Sequence, residues 1–299
     1  MRISLPKRLL VHAALVLVAV FTMLPAQAQN TMVRLHTTQG PIDLSLLDTE
    51  APLTVANFLA YVRGGDYTNV FFHRSVHLPA PSLAPFVIQA GAYRWTEADF
   101  IESVTTRGNV RNEFSATRSN LRGTVAMAKV GGNPDSASSQ WFVNMNNNSA
   151  NLDNQNGGFT VFARVTTPGM TTADKIAALP VVNAGANFTE LPVADWKSGT
   201  SYERSNVVRL TAVTEFPQNQ TSADRVFNLL EATFTAYLGS VASSTGEASG
   251  FVYRHYNGID SYLVSKDGRV WFFAPSLNSE FIDIGSVNDL LSIAQSAGY

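Results

Sequence analysis

The chain opens on an apolar block and then settles into short alternating runs. Leu9 to Leu24 is broken only by His12 and Thr22. From Met32 to Thr37 and from Ile42 to Leu46 apolar and polar positions alternate, with Gly40-Pro41 near the junction, which predicts a β-hairpin. Pro52 to Val62 changes period: Val55, Phe58, Leu59 and Val62 share one helical face, and Gly64-Gly65 ends the helix. Val70 to Arg74 reads as a short strand. Ser75 to Pro85 holds three prolines and reads as a stiff loop. Phe86 to Gln89, Thr124 to Ala128, Gln140 to Asn144, Phe159 to Val165 and Val207 to Val213 read as strands. The intervening segments are loops by composition, with one helical turn expected around Asn112 to Ala116. Thr172 to Leu179 predicts a short helix stopped by Pro180. Many short strands with two helices predict a mainly β architecture, a closed antiparallel barrel capped by those helices.

After Val213 the pattern changes. Glu215 to Ser222 is polar and reads as a linker. Val226, Leu229, Leu230, Thr233, Phe234 and Tyr237 then form an amphipathic stripe. Ser240 to Gly250 reads as a flexible connection. Three strands follow, Phe251 to Tyr256, Asp260 to Ser265 and Val270 to Ala274, with Asn257-Gly258 and Lys266-Asp267-Gly268 as turns, and Val287 to Ala297 as a closing helix. The expected organisation is a leader over 1–28, a main domain over 29–215, a linker over 216–222 and a small α+β domain over 223–299. In that last unit Tyr253, Tyr256, Tyr262, Trp271, Phe272 and Phe273 are expected mainly to form the core of a small sheet.

The leader reading rests on charge. Arg2, Lys7 and Arg8 precede the apolar block, and Ala26-Gln27-Ala28 is a small-x-small cleavage signal, so the mature chain is expected to begin at Gln29. No second long apolar run predicts a membrane span after cleavage. The chain has no cysteine, which excludes a disulfide framework, a thiol nucleophile and cysteine-bound zinc. Export without cysteines fits the periplasm, with an extracellular destination as the alternative. The formal net charge of −2 gives no basic field for nucleic acid. Five histidines lie scattered without metal-ligand spacing, so neither a metal nor a cofactor is expected.

The candidate chemistry lies between Val70 and Phe162. Phe71-Phe72-His73-Arg74, Pro85 to Gly91, Gly123 to Ala128 and Ser138 to Val143 each set a polar group beside bulky apolar residues. With Leu152-Asp153 and Phe159 to Val165, this ordered set resembles the cyclophilin family of peptidyl-prolyl isomerases, especially its exported bacterial branch, over about Met32 to Glu215. The resemblance implies an eight-stranded barrel with a helix at each end and a shallow apolar pocket that takes a proline ring. It puts the catalytic arginine on Arg74 and the pocket on Phe86, Val87, Phe142 and Leu152. Gln89 falls on a substrate-contacting glutamine, Gln140 on the glutamine that supports the arginine, and Ala128 and Lys129 on substrate-backbone contacts. Phe159 stands where His or Tyr is common.

The chain departs from the family in an insert of about seven residues between Arg74 and Phe86, with Pro79-Ala80-Pro81 inside it. Val87 stands for the usual Met, Asn151 for an aromatic, and Lys129 for Asn or Arg. These departures bear on rate, substrate preference and cyclosporin-type binding rather than on reaction type. The implied substrates are proline-containing unfolded or flexible polypeptides, and the C-terminal domain is expected to engage an envelope partner. The rival expectation is a catalytically weak peptide-binding or chaperone module on the same barrel.

Overall fold

A computed structural model describes residues 30–217, 219–239, 242–276 and 278–299. The leader reading over 1–28 lies outside the described residues. In chain order the first part holds β1 (Met32–Thr37), β2 (Gly40–Leu46), α1 (Pro52–Arg63), β3 (Arg74–His77), β4 (Pro85–Ala90), β5 (Tyr93–Trp95) and β6 (Ile101–Ser103). It continues with β7 (Thr124–Met127), β8 (Trp141–Asn144), α2 (Ser149–Leu152), β9 (Val161–Val165), α3 (Thr167–Ala177), β10 (Val181–Val182), β11 (Leu191–Pro192) and β12 (Leu210–Glu215). Eight of these strands form one antiparallel sheet in the order β12-β1-β2-β9-β7-β8-β4-β3. The sheet curls until its ends meet. No strand ladder joins β3 to β12, so the closed barrel expected from the pattern has a seam instead. Backbone bonds stitch it, Phe72 N–H to Val208 O at 2.9 Å and Leu210 N–H to Val70 O at 2.7 Å.

Local chemistry explains the ends of the elements. Thr37 pairs with Gly40 across a two-residue turn, and Gly40 has φ +121, open to glycine. Helix α1 starts on Pro52 with no side-chain cap of its own. Glu113 supplies one from the loop between β6 and β7, accepting from Leu53 N–H at 3.1 Å and Thr54 N–H at 2.7 Å. Asn112 to Ala116 forms no helical turn, because its polar groups are used to cap α1 and to bond Thr160. Helix α3 begins five residues earlier than its apolar spacing suggests. Thr166 caps it, accepting from Gly169 N–H, and Pro168 sits in the first turn, where proline is tolerated. The proline segment is a hairpin arm rather than a loop: β3 and β4 pair from Arg74 to His77, and the tip residues 79–83 are exposed.

The C-terminal part contains α4 (Ser222–Thr233), α5 (Thr235–Leu238), β13 (Ser244–Ala248), β14 (Phe251–Tyr256), β15 (Ser261–Lys266), β16 (Arg269–Ala274), β17 (Asn278–Ser286) and α6 (Val287–Ser296). Its antiparallel sheet has five strands in sequence order, two more than the pattern gave. β13 was hidden because its Ser, Gly and Ala lack strand propensity; pairing with β14 holds it. Alternation divides the aromatic residues. Tyr256 and Phe272 pack with Val226, Phe227 and Leu230 in the core under α4. Tyr253, Tyr262, Trp271 and Phe273 take the opposite face; Tyr262 packs on Tyr253 and Phe273, Trp271 lies edge-on to Phe251, and His255 stacks on Tyr262 at 4.3 Å. The expectation that all six form the core therefore holds for one face only.

A buried polar network joins the two sheets. Arg34 on β1 donates to both Asp43 oxygens at 2.6 and 2.7 Å and to Glu231 of α4 at 2.7 Å. Tyr256 O–H donates to Glu231 at 2.7 Å, and the C-terminal Tyr299 O–H to Asp43 at 2.5 Å. Burial alone would lower the pKa of Arg34, but Asp43 and Glu231 outweigh it and the net shift is upward. Around the network Met32, Phe216, Leu229, Ala294 and Tyr299 form an apolar seal. Phe216, in the stretch that reads as a linker, is thus a packed residue.

Candidate functional site

The site follows from strand alternation. Residues directly opposed across antiparallel strands share a face. Ile88 opposes Val143, which opposes Val125, and all three lie in the main core beneath α1 and α3. The intervening positions face outward. Arg74 opposes Gln89, Gln89 opposes Phe142, Phe142 opposes Ala126, and Ala126 opposes Val161. One row therefore crosses five strands on the outer face, with the Arg74 guanidinium at one end, the Gln89 amide next to it and the apolar Phe142, Ala126 and Val161 beyond.

Those apolar groups form a second cluster, separate from the main core. Val87, Phe142 and Leu152 are buried within it, and Phe86, Ala128 and Phe159 pack on it half-buried. Phe142 and Phe159 meet edge to face with ring centres 5.7 Å apart. α2 is too short to be read from periodicity, yet it delivers Leu152 to the cluster. The structure thus brings Phe86, Val87, Ala128, Phe142, Leu152 and Phe159 together on one surface. Val76, from the lengthened hairpin, joins them.

The polar groups depart from the expected arrangement. Among the described contacts Gln140 makes no hydrogen bond to Arg74. Its Oε1 accepts from Gln89 Nε2 at 2.9 Å, because β4 lies between β8 and β3. The Arg74 guanidinium is instead held by Glu190, with Nε to Oε2 at 2.7 Å. Nothing in the sequence around Glu190 marked it, since 181–204 shows no periodicity. Lys129 is also engaged locally: its ammonium donates to the carbonyls of Asn156 at 2.8 Å and Gly158 at 2.6 Å and lies 4.7 Å from the Phe159 ring centre. Burial lowers its pKa. It fastens the loop that carries Phe159. Asn151 is exposed and bonded to Gln155.

His73, beside the arginine, is buried and edge-on to Tyr93. Burial, and then the Arg74 charge, bring its pKa down to about 4. It is therefore neutral at ordinary pH. Among the described residues no group of three His, Cys, Asp or Glu is placed to hold a metal, and no helix is long and apolar enough to cross a membrane.

A curled eight-stranded antiparallel sheet with an apolar outer-face patch bordered by an arginine is the class of fold and surface these residues define. The family model "Cyclophilin type peptidyl-prolyl cis-trans isomerase/CLD" matches residues 32–197, more than half of the chain. The chain belongs to this family of isomerases. The peptidyl-prolyl cis-trans isomerase of Acinetobacter baylyi is 38% identical over 167 residues, covering 55% of this chain and 82% of that relative. Peptidyl-prolyl cis-trans isomerase B of Escherichia coli is 35% identical over 158 residues, covering 52% of this chain and 88% of that relative. A solved cyclophilin-type isomerase of Cryptosporidium parvum aligns at 20% identity and a TM-score of 0.45, covering 63% of this chain and 98% of that one. The matched stretch ends before β12, so the strand that completes the eight-stranded sheet lies beyond it.

Proposed function

We propose that this isomerase accelerates rotation about X-Pro bonds in exported polypeptides, with Arg74 as its catalytic group. Rotation is slow because the amide nitrogen lone pair is shared with the carbonyl, which sets a barrier of about 18–20 kcal/mol. At the twisted transition state that lone pair returns to a pyramidal nitrogen. A donor placed there stabilises the twisted form over either planar one. The guanidinium remains protonated at any working pH and needs no base, nucleophile or metal for this task.

One observation carries the reading. Among the described residues the Arg74 guanidinium makes a single bond, through Nε, and its side chain is 46% exposed. Both Nη groups are thus available beside the apolar row. The prolyl ring would rest on Phe142 and its neighbours, a contact contributing about 1–3 kcal/mol. Gln89 gives its amide N–H to Gln140, and its Oε1 remains an acceptor for a substrate N–H.

The experiment is a proline-peptide isomerisation assay on the wild type and Arg74→Ala. Loss of one charge-stabilising donor should lower kcat/KM by roughly 100-fold. Equal rates at the uncatalysed level for both proteins would leave a peptide-binding module instead. Export to the periplasm is part of the same reading. It is tested by the mass of the protein recovered from the envelope, which should begin at Gln29.

A further inference from the structure

Glu190 lies far from Arg74 in sequence, in a stretch with no pattern, and two contacts bring it to β3. Its backbone carbonyl accepts from Ser75 N–H at 2.7 Å, the residue next to the arginine. Its carboxylate accepts from Arg74 Nε at 2.7 Å. Leu191, directly after it, is buried with Phe71, Trp95 and Val193, and β11 pairs with β10. The carboxylate is therefore presented from an anchored backbone, whereas the guanidinium stands on a long side chain at the edge of the sheet. A flexible arginine in that position samples many rotamers. A carboxylate on Nε removes most of them and leaves the Nη edge directed elsewhere.

We propose that Glu190 is a positioning residue for the isomerase reaction, fixing the Arg74 fork by its Nε so that the two Nη groups meet the twisting amide. This rests on the reading of Arg74 as the catalytic group. Glu190 touches no reacting atom itself, and it takes the role that the sequence had assigned to Gln140. The contact is partly solvated, with 46% of the arginine and 35% of the glutamate side chain exposed, so its effect on stability is small. Its effect on rate is larger, because it acts on the direction of a donor needed only at the transition state.

The test is a mutant cycle on the full chain, Glu190→Ala, Glu190→Gln, Arg74→Ala and the Arg74→Ala/Glu190→Ala pair, with kcat and KM separated by exchange measurements. Glu190→Ala should lower kcat by roughly 3- to 10-fold with KM moved less than about twofold. Glu190→Gln keeps an oxygen that accepts from Nε and should recover most of the loss. In the Arg74→Ala background, removal of Glu190 should change nothing further. The Arg74 Nε–H resonance, protected in the wild type, should exchange faster in Glu190→Ala. That readout is independent of turnover, and the Ser75 bond, made to backbone, survives every substitution. Wild-type or faster turnover in Glu190→Ala, or the same loss in both backgrounds, overturns the proposal. Full activity in Arg74→Ala alone would instead sink the underlying assignment of the arginine.

Discussion

Glu231→Ala tests whether the buried network holds the two sheets as one folding unit. Glu231 is buried, accepts from Arg34 Nη1 at 2.7 Å and Tyr256 O–H at 2.7 Å, and is ion-paired with Arg254 Nη1 at 3.1 Å. Breaking a buried ionic group by deleting one partner costs about 3–5 kcal/mol. Arg34 keeps Asp43, and Arg254 keeps Asp224 and the Asn228 side chain, so neither guanidinium is stranded. Tyr256 has no such reserve: its hydroxyl is left in the core without an acceptor, at about 1–3 kcal/mol. The lower part of the range applies, about 3–4 kcal/mol. For a chain of 299 residues that corresponds to a fall of ~5–7 °C in Tm. Differential scanning calorimetry reads it directly. Glu97→Ala serves as control, since Glu97 makes its ion pair with Arg204 while 76% exposed and its loss should shift Tm by less than about 2 °C. If Glu231→Ala melts within about 2 °C of the wild type, the network is not what joins the two sheets.

Acid should act through two histidines. His36 and His73 are both brought down to about 4, His36 by burial and then by the Arg34 charge, and His73 by burial and then by Arg74. The unfolded chain takes up these protons near pH 6.5 and the folded chain does not, so stability is complete above about pH 6.5 and declines toward pH 4. The slope is up to ~1.4 kcal/mol per pH unit for each histidine, and urea midpoints at several pH values measure it; His73→Phe should reduce it by about half, leaving the His36 share. Gly91→Ala should disrupt the site from behind. Gly91 has φ +91, and a Cβ there would sit 2.3 Å from Ser139 O and 2.9 Å from Gln140 Cα, both backbone. A loss of more than about 2 kcal/mol is expected in chemical denaturation, with Gln140 displaced; a wild-type midpoint contradicts the packing argument.

What could be read from the sequence divides along the same physical line as these predictions. The outer-face cluster was legible through the ordered motifs that carry the family resemblance; alternation accounts for its strand members, Phe142 being outward because Trp141 and Val143 are inward, but not for Leu152 in α2 or Phe159 ahead of β9. The same rule, applied without a sheet partner, failed for β13 and β17, whose residues gain strand geometry only from the neighbours they pair with. Polar roles were the least legible. A glutamine or a carboxylate has no preferred face, and its partner is set by which loop passes within reach. Arg74 and Gln140 lie in the first and fourth of the ordered motifs, and in the sheet β4 intervenes and gives Gln140 to Gln89. Glu190 is 116 residues from Arg74, and no local pattern encodes a contact of that kind. Glu231, 197 residues from Arg34, is the same case in the core, where it reads as one more polar position on an amphipathic helix. Apolar surface is therefore specified by period, and period is local; a charged pair is specified by topology. In this chain both charged contacts act on an arginine whose position along its strand was already evident, and each adds what the strand alone cannot, a direction for Arg74 and a counter-charge across the two sheets for Arg34.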